Sequence, residues 1–262
     1  MKHTLSFHTV FIVNENIPWL EEFIQYYKKI GFDHFYLYDN ESSDGNCGIM
    51  YQGQDVTKFL SENRCGFPRL TTTPEEDRKK FDVILEKYKD NITYVKWQPK
   101  DGNGNIIYGQ DEAITHFVKN YGHETEWIAC MDFDEFLFSI DNLNIPDYLS
   151  KLSSEISCVK VCQKKFVDRF LSDKTNILED FRCVDLYVGD WWGAKNIFRP
   201  SDFISIGNIH NMNFKNQTHI IGQHLLRFNH YNVNRQQIEW MEWSMSQKFS
   251  LNSIDDGMKR YI

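Results

Sequence analysis

Three observations predict an α/β protein with a mostly parallel central sheet flanked by helices. Up to residue 131, short apolar runs rich in β-formers alternate with segments whose apolar side chains recur at helical spacing. The last of these runs, Trp127 to Met131, stops abruptly in Asp132-Phe133-Asp134-Glu135, as a buried strand does where it meets a ligand-facing sheet edge. At 262 residues and 41% hydrophobic content, the chain can bury one sizeable core.

The elements follow in order. Phe7 to Val13 reads as a strand ending at Asn14-Glu15. Asn16 is placed to cap a helix with Pro18 in its first turn. Trp19, Leu20, Phe23, Ile24, Tyr27 and Ile30 form its apolar stripe, and Gly31 stops it. Phe35 to Tyr38 is the second strand, closed by the turn residues Asp39 to Gly45. The helix between two such strands makes a right-handed parallel βαβ unit. Ile49 to Leu60 reads as helix, and Thr71 to Glu75 opens another that runs to about Tyr88. Asn91 to Trp97 is a strand and residues 101–105 a loop. A helix starting at Gln110-Asp111 carries Ile114, Phe117, Val118 and Tyr121 at core spacing and ends at Gly122. Beyond the acidic motif, Ile145 to Leu152 is a short helix, and Ser157 to Gln163, Lys195 to Phe198 and Gln223 to Phe228 read as strands. Arg235 to Phe249 is a closing helix with Ile238, Met241, Met245 and Phe249 on one side. No element is assigned to 201–222. Without linker or repeat, residues 1–262 read as one domain, with a first half to about 138 and a second from about 139.

A net charge of −8 with no basic stripe argues against nucleic acid as a partner. No run approaches membrane-spanning length and the start lacks a signal-peptide core, so the expected location is cytoplasmic, peripheral at a membrane only through an acceptor. The six cysteines form neither a zinc pattern nor a compact disulfide framework.

Three carboxylates in four residues at a strand end cannot be unpaired core. In an extended chain Asp132 and Asp134 point to the same side, and like charges so placed call for a cation between them. A solvated acidic turn is the plain alternative. Asn14, Glu15, Asp39 and Asn40 leave neighbouring strands at the same edge. Asp39 suits a ribose or base edge, and the two asparagines suit a heterocycle or, equally, turn capping. Gln110 suits a ligand hydroxyl or a helix cap. Trp191-Trp192-Gly193 suits stacking on a sugar face.

Taken together, Asn14-Glu15, Leu20-Glu21, Tyr26-Tyr27 with Gly31, Tyr38-Asp39-Asn40 with Ser42 and Asp44, and Asp132 to Phe136 resemble the signature of GT-A glycosyltransferases, the nucleotide-diphospho-sugar transferase fold. The likeness is to the group that includes family 92 and its family 2-like relatives. It extends to Lys195-x-Ile197-x-Arg199-Pro200, His210 and His230-Tyr231, and covers residues 7–248. The resemblance implies transfer of a sugar from a UDP- or GDP-type donor to a hydroxyl of a glycan or glycoconjugate, with inversion, as in polysaccharide biosynthesis. It implies a DxD site in which Asp134, with Asp132, holds Mn²⁺ or Mg²⁺ against the leaving diphosphate. The nucleoside would lie on Asn14, Glu15, Asp39 and Asn40. It also implies a carboxy-terminal histidine at the metal, with His210 ahead of His230. Lys195 or Arg199 is a candidate to meet the diphosphate. An inverting reaction needs a general base, for which Asp180 is preferred, with Glu179 beside it and Asp168 and Asp190 competing. Glu135 is expected to orient the sugar or a ligand. Two rival readings are a nucleotidyltransferase, weakened because no Gly-rich basic loop follows the first strand, and a non-catalytic carbohydrate-binding protein, which leaves the βαβ opening unexplained.

Overall fold

The computed structural model describes residues 2–40, 50–51, 54–55, 73–166, 178, 183–184, 193–231 and 253–261. Strands β1 (His3–Phe11), β2 (His34–Asp39), β3 (Ile92–Lys96) and β4 (Thr125–Cys130) alternate with helices α1 (Val13–Lys29), α2 (Pro74–Lys87) and α3 (Gln110–Tyr121). There follow β5 (Glu135–Ser139), α4 (Ile145–Ser150), β6 (Ile156–Val161), β7 (Gln163–Lys165), β8 (Lys195–Phe198), β9 (Phe203–Asn208), β10 (Asn211–Phe214), β11 (Gln217–Ile220) and β12 (Leu226–His230).

Seven strands form the main sheet, in the order β11-β6-β8-β4-β1-β2-β3. β1 runs parallel to β2 and β4, and β2 parallel to β3. β8 is antiparallel to both β4 and β6, whereas β11 is parallel to β6. A second sheet, β5-β12-β7, grows from the chain immediately after the acidic motif. Strand β1 is central because both of its faces are apolar. Phe7 and Phe11 join Phe35, Leu37 and Ala129 in a core under α1 and α2. Val10 joins Tyr36, Tyr38, Ile128 and Cys130 in a core under α3.

Helix α1 has no side-chain cap on Ile12, so burial holds it instead. Trp19, Leu20, Phe23, Ile24 and Tyr27 are each at most 1% exposed, and a fully buried side chain of this size contributes about 1.5–3 kcal/mol. Gly31 ends the helix at φ 103°, where any Cβ would lie 2.7 Å from Pro146 Cγ. Helix α2 is set by its own sequence. Thr73 accepts from the Glu76 amide, the Glu76 carboxylate accepts from the Thr73 amide, and Pro74 occupies the first turn.

Several expectations change. α1 begins at Val13 rather than after Asn16, and Asn16 donates its amide to the Ile12 carbonyl from inside the helix instead of capping it. Asn14 and Glu15 are therefore first-turn residues, not a loop. Met50–Tyr51 pairs antiparallel with Gln54–Asp55 where a helix was expected; Gly53, a poor helix former, lies between them in sequence. The expected strand at 157–163 is split between β6 and β7, which lie in different sheets. The segment without an expected element, 201–222, holds the β9–β10 hairpin and all of β11. The closing helix at 235–249 lies outside the described residues.

Candidate active site

The acidic motif sits where the two sheets meet, and it is a turn rather than an extended strand. The Glu135 amide donates to the Asp132 carbonyl at 3.2 Å, closing a tight turn between β4 and β5. The period-two argument that sent Asp132 and Asp134 to one side does not apply to such a turn.

Strand register decides which groups reach it. β8 pairs Asn196 with Cys130, which brings Lys195 alongside the start of the motif. Its ammonium donates to Asp132 Oδ2 at 2.6 Å and lies 3.1 Å from Glu135 Oε2. The Lys195 side chain is only 3% exposed, so the expectation that it meets a diphosphate gives way to an internal role. Gln110, at the start of α3, donates to the other Asp132 oxygen at 2.7 Å. Gly109 makes this approach possible at φ 59°, since a Cβ there would lie 2.4 Å from Pro99 Cγ. The Asp132 amide donates to Glu135 Oε2 at 3.0 Å, completing a closed ring of contacts.

The electrostatics follow from burial and from this one lysine. Burial alone would raise the Asp132 carboxyl, but the adjacent Lys195 charge outweighs it and holds the group below the ordinary carboxylate range. Burial pushes Glu135 up to about 7 against the pull of the same lysine. Burial would lower the Lys195 ammonium, yet the two carboxylates keep it firmly charged. Glu135, expected to orient the sugar or a ligand, is thus a buried ion-pair member.

β12 supplies the histidine. It pairs His230 with Glu135, and the Tyr231 amide donates to the Asp134 carbonyl at 2.9 Å. His230 Nε2 lies 3.5 Å from Asp134 Oδ2, while Nδ1 faces Gln163 Oε1 at 3.3 Å. A ring donating from Nδ1 to Gln163 would present Nε2 as an acceptor on the Asp134 side. His210 is held elsewhere, with Nδ1 donating to the Ala194 carbonyl at 3.1 Å. Burial, aided by Lys195, lowers its basicity.

Two of the nucleoside candidates, Asp39 and Asn40, have partners outside this cluster. Asp39 is fully buried at the end of β2 and accepts from Arg78 and Tyr94, each at 2.8 Å. Asn40 donates its amide to the carbonyls of Trp97 and Ile107, clamping a loop. Nothing is described of the Asn14 and Glu15 side chains, and Glu179, Asp180, Asp168, Asp190, Trp191 and Trp192 lie outside the described residues. Sequence reasoning missed two residues of the site's frame, Tyr26 and Tyr27. Tyr26 Oη donates to the Leu137 carbonyl. Tyr27 Oη donates to the Glu135 carbonyl at 2.7 Å and accepts from the Leu137 amide at 3.1 Å. Their signal was an adjacent tyrosine pair on the buried stripe of α1, where a phenylalanine would suffice for packing alone. Tyr27→Phe should therefore lower unfolding free energy by about 2 kcal/mol through two lost buried hydrogen bonds; urea denaturation checks this, and an unchanged midpoint would deny the clamp.

Among the described residues no three His, Cys, Asp or Glu side chains form a cluster able to hold a metal alone. Asp134 and His230 nonetheless make a fitting donor pair. Small divalent ions are commonly bound by one or two protein groups plus substrate phosphate oxygens and water, rather than by an all-protein cage.

Comparison with known proteins is consistent with a transferase and restricts the overlap. No curated protein matches. Among solved structures, HddC from Yersinia pseudotuberculosis aligns at 9% identity over 63% of this chain and 58% of that one, with a TM-score of 0.31; the chain thus spans under two thirds of that protein, and so low a score carries no argument. The sequence model of glycosyltransferase family 92 matches residues 72–261. The matched region contains the acidic turn, Lys195, His210 and His230, and excludes Asn14, Glu15, Asp39 and Asn40. Spanning well over half of the sequence, this match makes the chain a glycosyltransferase of family 92.

Proposed function

We propose that this GT-A-type enzyme transfers a sugar from a UDP- or GDP-type donor to a hydroxyl of a glycan or glycoconjugate, with inversion and with dependence on Mn²⁺ or Mg²⁺. The observation that carries the metal reading is the pairing of buried Asp134 with the Nε2 face of His230. A carboxylate and an imidazole nitrogen at this distance can share one cation between them.

The charge balance points the same way. Among the described residues, Lys195 is the ammonium paired with Asp132 and Glu135, so these carboxylates together with Asp134 outnumber it and would repel a diphosphate. A divalent ion on Asp134 and His230 would supply the charge that the departing diphosphate requires. The chain's own part is orientation. Lys195 and Gln110 fix Asp132, Tyr27 fixes the backbone of Glu135, and Gln163 sets the tautomer of His230. Asp180, next to Glu179, is assigned the acceptor proton on its place in the sequence after the acidic motif. Asp39 and Asn40 bear on the donor by shaping the strand edge rather than through free side chains. No helix among the described residues is long and apolar enough to cross a membrane, so a lipid-linked acceptor would be met at the membrane surface.

The test is incubation with a panel of nucleotide sugars, with and without Mn²⁺. The expected result is slow, metal-dependent donor hydrolysis with one base preferred. Pyrophosphate released from a nucleoside triphosphate would instead make it a nucleotidyltransferase, and binding of sugars without turnover a carbohydrate-binding protein.

A further inference from the structure

We propose that Lys195 is a resident cation that keeps Asp132 and Glu135 out of metal coordination, so that the centre takes a single divalent ion on its Asp134–His230 side. The inference rests on the metal-dependent reading above and adds a division of labour between the two aspartates that the motif alone does not contain.

The geometry supports it in three ways. First, the Lys195 ammonium stands within hydrogen-bond distance of both Asp132 Oδ2 and Glu135 Oε2, at 2.6 and 3.1 Å. A metal bound at roughly 2.1 Å from those same oxygens would have to occupy the space the ammonium fills. Second, both Asp132 oxygens already accept from the protein, Oδ1 from Gln110 and Oδ2 from Lys195. Glu135 Oε2 also accepts from the Asp132 amide, while Glu135 Oε1 faces His230 Nδ1 at 3.9 Å. Third, Asp134 is turned towards a different partner, His230, carried by a different sheet. Lys195 comes from β8 of the main sheet, whereas His230 comes from β12 of the second sheet.

Lysine suits this task better than a second metal would. Its charge is covalently attached and present before substrate arrives, and it is 3% exposed, so solvent does not screen it. It offsets one of the carboxylates permanently and leaves a deficit that one divalent ion can fill. Lys195 is on this view a positioning residue, acting through Asp132.

Mn²⁺ titration followed by electron paramagnetic resonance, with UDP and with GDP, tests the assignment through stoichiometry. Wild type should bind one ion. Asp134→Asn should bind none. Asp132→Asn should still bind one, weakened no more than about tenfold, as expected when a partner of the site rather than a ligand is changed. Lys195→Met should acquire a second ion at the vacated position, and Lys195→Arg should keep the count at one. Equal loss of binding in Asp132→Asn and Asp134→Asn would overturn the inference alone, as would a folded Lys195→Met that still binds a single ion. If Lys195→Met does not fold, the two asparagine variants decide the matter by themselves. A wild-type protein that binds no Mn²⁺ with either nucleotide would remove the metal-dependent reading and this inference with it.

Discussion

Asp134→Ala should lower kcat/KM for sugar transfer by about 10³-fold or more, the scale lost when a group that stabilises leaving charge is removed from a water-poor site. Its melting temperature should stay within a few degrees of wild type. Both halves of this expectation come from the same surroundings. Asp134 is fully buried beside the carboxylates of Asp132 and Glu135, so replacing it relieves like-charge repulsion rather than opening a large cavity. One of its contacts, the carbonyl that accepts from the Tyr231 amide, belongs to the backbone and survives the substitution. Donor hydrolysis with and without Mn²⁺, set beside a circular dichroism melt, separates the two effects. Activity within tenfold of wild type would mean that the charge on the departing diphosphate is met somewhere else.

How far the sequence led to this site depends on how local each signal is. The end of β4 was readable because an apolar run gives way to carboxylates within one residue, and a buried strand cannot continue through them. Helix α2 was readable from Thr73, Pro74 and Glu76, which cap it without help from any distant part of the chain. The start of α3 at Gln110 was equally plain. The partners of the acidic turn were not readable, because they are set by pairing across long separations. Lys195 reaches Asp132, 63 positions away, only because β8 inserts between β4 and β6. No local pattern in Lys195 to Phe198 specifies its neighbours. The choice between His210 and His230 was open for the same reason, and the register of β12 against β5 resolves which one stands beside Asp134. The β9–β10 hairpin was missed for a different cause. Its residues are half-buried or exposed and its strands are short, so the alternation in Asn211 to Phe214 is too brief to mark a strand by itself. The first turn of α1 was misplaced because Asn16 has capping chemistry, yet its side chain donates to the Ile12 carbonyl from inside the helix; the apolar face decides where the helix begins.

Replacing His8 by leucine should make the protein progressively more stable than wild type as the pH falls below about 6.5, by about 1.4 kcal/mol for each pH unit. His8 lies on the α3 side of β1, 1% exposed, with its ring centroid 4.7 Å from that of Tyr38 and 5.4 Å from that of Phe117. Its Nε2 has no hydrogen-bond partner among the described residues. Burial lowers its basicity to about 3. The unfolded chain therefore takes up a proton below 6.5 that the native state refuses until about pH 3, and stability is lost as the pH falls across that window. His34, brought down to about 4 by burial, acts with the same sign. Glu135 acts with the opposite sign, because a carboxyl raised to about 7 is protonated in the native state first and so gains stability as the pH falls towards its ordinary value. His3, His116 and His210, lowered by burial as well, act with the sign of His8, so wild type loses stability on acidification. The difference between His8→Leu and wild type isolates the His8 contribution, since the other groups are common to both. Urea unfolding at pH 7.5, 6.0 and 5.0 measures it. A stability difference independent of pH would mean that His8 takes up its proton as readily in the folded protein as in the unfolded chain.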